Sequence, residues 1–155
     1  MIEAGEMAPG FELESDGGDT VRLDDLRGKR VVLFFYPKDD TSGCTKEACG
    51  FRDRLPSFET EDAVVLGVSP DDVRSHEKFR DKYELNFPLL ADPGHAVADA
   101  YGVWGEKKMY GRTYEGIHRT TFLIDAEGRV EKVYKKVKPA NHAEELLADL
   151  APTGG

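Results

Sequence analysis

Two short apolar runs, "VVLFFYP" at 31–37 and "AVVLGVS" at 63–69, do most to limit what this chain can become. Each is rich in β-branched and aromatic residues and reads as a strand buried on both faces. Between them, Thr45 to Phe58 carries helix formers with Ala48, Phe51, Leu55 and Phe58 at helical spacing, so the order is strand, helix, strand. Pro56 is expected to end or kink that helix. A second helix is expected through "SPDDVRSHEKFRDKYE", with Ser69 as N-cap and Pro70 at its first position. "FPLLAD" at 87–92 predicts a third strand, and "HAVADAYG" a short helix closed by Gly102. "RTTFLID" and "AEGRVEKVYKKV" predict a hairpin turning at Glu127 and Gly128, and "NHAEELLADL" a last helix with a capping-box-like start at Asn141 and Glu144. Residues 105–118, "GEKKMYGRTYEGIH", lack clear periodicity and read as a long loop of the kind that is often functional.

This order implies an α/β fold, a thioredoxin-like sandwich whose mixed central sheet carries helices on both faces. At 155 residues the chain fits one domain, 1–155, that can bury a core without disulfides or a structural metal. With 21 Lys+Arg against 30 Asp+Glu the net charge is −9, which argues against a nucleic-acid partner. "MIEAGEMAPG" has neither a basic n-region nor an apolar h-region, and no apolar run approaches the length that crosses a bilayer. The chain therefore reads as cytoplasmic, with no membrane partner.

Both cysteines, Cys44 and Cys49, lie in "DDTSGCTKEACGFRD" at 39–53. In a reducing compartment such a pair points to catalysis, metal binding or redox chemistry more than to a staple. Cys44 falls in the first turn of the expected helix, where unpaired N–H groups and the positive end of the helix dipole favour thiolate, the nucleophilic form. Cys49 is five residues on. In an intact helix that spacing separates the Cα atoms by about 8.7 Å, whereas a disulfide needs less than about 7 Å. A permanent staple is disfavoured, and a transient bond requires local unwinding. A closed zinc site wants four ligands, and His76, His95, His118 and His142 have no finger-like spacing to the cysteines. Packing as a small hydrophobe stays open for Cys49.

"PKDDTSGC" fits the Pro-x-x-x-Thr-x-x-Cys motif of peroxiredoxins, and "CTKEACGFRD" is similar to their bacterioferritin comigratory, or Q-type, branch. "GEMAPGFEL" resembles the family's entry segment, and "YGVWGEKKMYGRTYEGIHRTTFLID" the segment that carries an active-site arginine, here Arg119. The resemblance covers most of the chain. It implies that Cys44 is the peroxidatic cysteine, Cys49 the resolving cysteine, and Pro37, Thr41 and Arg119 the other active-site positions. A guanidinium at Arg119 would stabilise the thiolate and the charge on the departing oxygen; without the family it reads as a surface ion pair. Thr41 has two readings, a hydrogen bond to peroxide or a cap that accepts from the N–H of Cys44. Pro37 shields the thiolate or is an ordinary turn proline. Glu47, which could orient Arg119, stays outside the core set. Trp104, Tyr110 and Tyr114 line an entrance or simply pack, and "KKVK" at 135–138 docks a reductant or is a solvated strand end.

The implied activity is reduction of hydrogen peroxide and organic hydroperoxides through a Cys44 sulfenic acid and an intrachain Cys44 to Cys49 disulfide. Thioredoxin or a similar dithiol would restore both thiols, in a monomer that needs no metal, haem or flavin. The rival reading is a non-catalytic redox sensor built on the same pair. A disulfide reductase fits less well, since Cys-x-x-Cys is absent.

Overall fold

The computed structural model describes residues 1–150, and in it both apolar runs are strands, paired in parallel with Leu33 opposite Leu66. The elements follow the chain as β1 (Glu12–Glu14), β2 (Thr20–Arg22), β3 (Arg30–Phe35), α1 (Ser42–Thr60), β4 (Ala63–Ser69), α2 (Val73–Tyr83) and β5 (Leu89–Ala91). They continue as α3 (Ala96–Tyr101), β6 (Trp104–Met109), β7 (Arg112–Ile117), β8 (Thr120–Ile124), β9 (Val130–Lys135) and α4 (His142–Leu150). One mixed sheet has the order β5-β4-β3-β8-β9, with β3, β4 and β5 parallel and β8 and β9 antiparallel.

Strand periodicity sends alternate side chains of β3 into two cores. Val32 and Phe34 pack with Phe51, Phe58, Phe79 and Leu146 under α1, α2 and α4, while Val31, Leu33 and Phe35 pack with Tyr101, Val103 and Phe122 toward α3. The mixed sheet with helices on both faces is thus the expected one. Phe34 stacks on Phe51 with ring centroids 4.7 Å apart. Its ladder partner is Gly67, where a Cβ would stand 2.7 Å from the Phe34 ring.

Four local expectations change. Helix α1 begins at Ser42, before the Thr45 start indicated by its apolar spacing, and runs through Pro56 to Thr60 instead of ending there. Pro56 has no N–H for the carbonyl of Arg52. The side chain of Asn86 supplies the bond, its Nδ2 donating to that carbonyl at 3.2 Å. Helix α2 starts at Val73 because Asp72, not Ser69, is its cap and accepts from the Ser75 N–H at 2.8 Å. Ser69 stays in β4, and its hydroxyl donates to Asp71. Residues 105–118 are mostly the β6–β7 hairpin, turning at Tyr110 (φ 51°) and Gly111 (φ 77°), both left-handed as a two-residue hairpin turn requires. Glu144 pairs with Arg54 of α1 and does not close a box on Asn141. The α3 helix closed by Gly102 and the β8–β9 hairpin stand as expected. Among the described residues no helix is long and apolar enough to cross a membrane.

Gly67→Ala forces a methyl into the Phe34 ring, so it should cost about 1–3 kcal/mol by overpacking. Urea unfolding of the two proteins at equal pH measures the difference.

Candidate active site

The loop from β3 to α1 is nailed down before the helix begins. Asp39, buried, accepts from Tyr36 Oη at 2.6 Å, from Ser75 Oγ at 2.8 Å and from His76 Nδ1 at 2.7 Å, while its own N–H donates to Asp71 at 2.8 Å. His76 Nε2 lies 2.9 Å from the carbonyl of Leu90, so both ring nitrogens face acceptors. Imidazole can serve two acceptors only as a cation. Burial would lower the pKa of His76, but the bond and charge of Asp39 outweigh it and hold it above the ordinary value. Asp39, Asp71 and His76 also form a group close enough to hold a metal ion, yet these atoms already bond one another and their Tyr and Ser neighbours, and neither cysteine belongs to the group.

From this anchor the chain turns through Pro37 to Thr41 and enters α1, where Cys44 is buried in the first turn. The N–H groups of Ser42, Gly43 and Cys44 have no carbonyl inside the helix to bind, which leaves positive charge around the sulfur. Arg119 stands between β7 and β8, held by the turn in which His118 N–H donates to Val103 at 2.8 Å and Val137 N–H to the Arg119 carbonyl at 3.4 Å. Its side chain reaches α1, with Nη2 donating to Cys44 Sγ at 3.1 Å and Nη1 to Glu47 Oε1 at 2.7 Å. Burial opposes the charge of Arg119, but Glu47 and Cys44 more than offset it and raise its pKa. A fixed guanidinium beside a buried sulfur stabilises negative charge on that sulfur or on an oxygen departing from it.

The structure brings Cys44, Arg119 and Thr41 to one helix end and leaves Pro37 at the end of the strand that feeds it. Thr41 is the backbone N-cap, but its side chain does not cap: the exposed hydroxyl donates to the Lys38 carbonyl at 2.9 Å and accepts nothing from the N–H of Cys44. Cys49 is half-buried further along the unbroken helix, and both thiols are free. Trp104 stacks flat on His95 at 3.9 Å, which makes it a packing residue, and Tyr110 is exposed at the hairpin turn.

Four neighbours escaped sequence reasoning or were undervalued by it. Glu47 is fully buried as the partner of Arg119, and its Oε2 has no hydrogen-bond partner among the described residues. Burial pushes its carboxyl up to about 7, against the pull of Arg119. Gly43 lets the guanidinium lie across the first turn, for a Cβ there would sit 3.2 Å from Arg119 Nη2 and 3.5 Å from Pro139. Lys107 of β6, its Nζ donating to the Ile117 carbonyl at 2.8 Å, is lowered first by burial and then by Arg119. His142, behind them with Nε2 2.7 Å from Thr121 Oγ1, is pushed down to about 4 by burial, with Arg119 adding to the shift. Glu47, named from the sequence as a possible partner that orients Arg119 but kept outside the core set, lies three residues, about one helical turn, from Cys44; Lys107 was hidden in the segment taken for a loop.

Known proteins resemble this chain along most of its length. The AhpC/TSA family matches residues 4–133. Peroxiredoxin Bcp of Bacillus subtilis (strain 168) is 53% identical over 149 residues, 96% of this chain and 95% of its own. Peroxiredoxin Bcp of Escherichia coli (strain K12) is 45% identical over 146 residues, 94% of each. Among solved structures, a cysteine-to-serine mutant of Xylella fastidiosa PrxQ superposes with a TM-score of 0.92 at 38% identity, covering 97% of this chain and 96% of that one. The bacterioferritin comigratory protein of Xanthomonas campestris, described for its alkyl peroxide reduction activity, gives 0.89 at 40% identity, covering 96% and 97%.

Gly43→Ala should slow oxidation of Cys44 by hydrogen peroxide roughly tenfold, because the methyl displaces the guanidinium from the sulfur. The same change should leave the thermal midpoint equal or higher, since alanine favours helix over glycine; stopped-flow oxidation and a melting curve test the two halves. For Glu47 the folded carboxyl titrates at about 7 against 4.5 unfolded, so its contribution to stability is complete below pH 4.5 and is lost as pH rises through 7. Glu47→Gln should remove that decline, and urea unfolding across this window measures it.

Proposed function

The chain belongs to the AhpC/TSA family, among the Bcp and PrxQ peroxiredoxins, and is a thiol peroxidase of thioredoxin-like fold; we propose that Cys44 is its peroxidatic thiol. The observation that carries the assignment is the 3.1 Å hydrogen bond from Arg119 to the sulfur of a cysteine buried in the first turn of a helix. The Cys44 thiolate attacks one peroxide oxygen, the O–O bond breaks, and the other oxygen leaves as alkoxide or hydroxide that takes up a proton. Arg119, held by Glu47, faces the charge that builds during this step. Thr41 would turn its hydroxyl from Lys38 to the peroxide, and Pro37 would close the strand side of the site to water.

Cys49 acts second. Its thiolate attacks the sulfenic sulfur of Cys44, an S–S bond forms, and the hydroxyl leaves as water. Because both cysteines lie on one continuous helix, the first turns of α1 must open for this bond to form. A thioredoxin-like dithiol then returns both thiols. On this reading residues 1–155 work as one monomeric cytoplasmic domain.

With excess dithiol reductant, the protein should consume many equivalents of hydrogen peroxide per chain; one equivalent and a stop would make it a sensor. Cys44→Ser should abolish turnover. Cys49→Ser should still react once, and intact mass spectrometry should find one added oxygen on Cys44; an unoxidised Cys44 would sink the assignment.

A further inference from the structure

Three residues beyond Cys49, on the same face of α1, lies Arg52. Its guanidinium is not free to swing: Nη1 donates to the Tyr83 carbonyl at 2.6 Å at the end of α2, and Nε to Asp53 at 2.9 Å. The Arg52 carbonyl is bound in turn by Asn86 at 3.2 Å. A cation pinned by side chain and backbone therefore stands about one helical turn from the second thiol. None of these contacts involves the first turns of α1, so all of them can persist when those turns open.

We infer that Arg52 is the positioning residue for the resolving step: it fixes a positive charge outside the segment that opens, so that Cys49 becomes a thiolate only after its helix has let it go. The inference rests on the reading of Cys49 as the resolving cysteine. While the helix stands, burial keeps the Cys49 thiol above its ordinary value, more than Arg52 lowers it, with Asp53 adding to the rise. Opening exposes the sulfur to water and removes the burial cost, while the field of Arg52 remains. Three residues of fully extended chain span at most about 10–11 Å, so Cys49 cannot travel far from this cation. The other charges facing the pair are Asp53, already bonded to Arg52, and Glu84 at the end of α2. The step balances without a further reagent: Cys49 thiolate displaces hydroxide from the Cys44 sulfenic acid, the S–S bond forms, and a proton from solvent makes the hydroxide water.

The test mixes the reduced protein with one equivalent of hydrogen peroxide, quenches with acid at short intervals, and reads sulfenic acid and disulfide by intact mass from pH 5.5 to 9.5. Arg52→Met should move the pH midpoint of disulfide closure up by about one unit, a roughly tenfold slower closure at pH 7. Arg52→Lys should return most of that shift, because it restores the charge. An unmoved midpoint in Arg52→Met would overturn the inference, as would a parallel fall in sulfenic-acid formation and closure, which would make Arg52 a structural tie. Failure of the unmodified protein to close a Cys44 to Cys49 disulfide at any pH would overturn the resolving reading itself, and the inference with it.

Discussion

The reach of Arg119 from the sheet to the first turn of α1 is the interaction on which the site depends. One planar guanidinium meets Glu47 with one nitrogen and Cys44 with another, so the sulfur, the helix and the start of β8 are mutually fixed. The geometry needs several concessions nearby. Gly43 gives up a side chain, Glu47 is buried with an oxygen unbonded among the described residues, and the neighbouring Lys107 and His142 are both shifted toward neutral. Each is a cost a purely structural helix end would have no reason to carry, and together they concentrate positive charge on one group beside the thiol.

Most of the frame was legible because its strands are continuous apolar runs, which have one reasonable interpretation when bounded by turn residues. Where legibility failed, a non-local partner had overridden a local rule. Pro56 should break a helix, and nothing within α1 says otherwise; the rescuing amide is Asn86, a residue that only the fold brings near. The start of α2 was misplaced because Ser69 and Asp72 are both good caps, and the choice is made by β4 extending through Ser69. The β6–β7 hairpin escaped because its turn uses Tyr110 in a left-handed conformation where Asn or Asp would have advertised it.

The site was half legible in the same sense. Helix position alone singled out Cys44, but Arg119 lies 75 residues away in sequence, and only the family resemblance joined the two before the structure did. Thr41 shows why local chemistry was undecided: its backbone is a helix cap, yet its hydroxyl points back to Lys38. The segment around Cys44 is also bracketed unequally. Upstream, Asp39 gathers three side-chain donors and binds Asp71 through its N–H; downstream, Arg52 is tied to Tyr83 and Asn86. Between these brackets the helix is held by its own ladder, by the Arg119 bonds to Cys44 and Glu47, and by the packing of Ala48 and Phe51.

The Asn86 amide on the Arg52 carbonyl has a consequence for the order in which the molecule assembles. A helix normally completes its hydrogen bonds from residues it already contains, which makes it an early and autonomous event. Here one rung is missing until the connection between α2 and β5 arrives. The Arg52 carbonyl, left without an N–H donor by Pro56, thus gains its protein partner only when the chain beyond α2 has folded back, so that one rung of α1 is completed by tertiary closure and not by the helix itself.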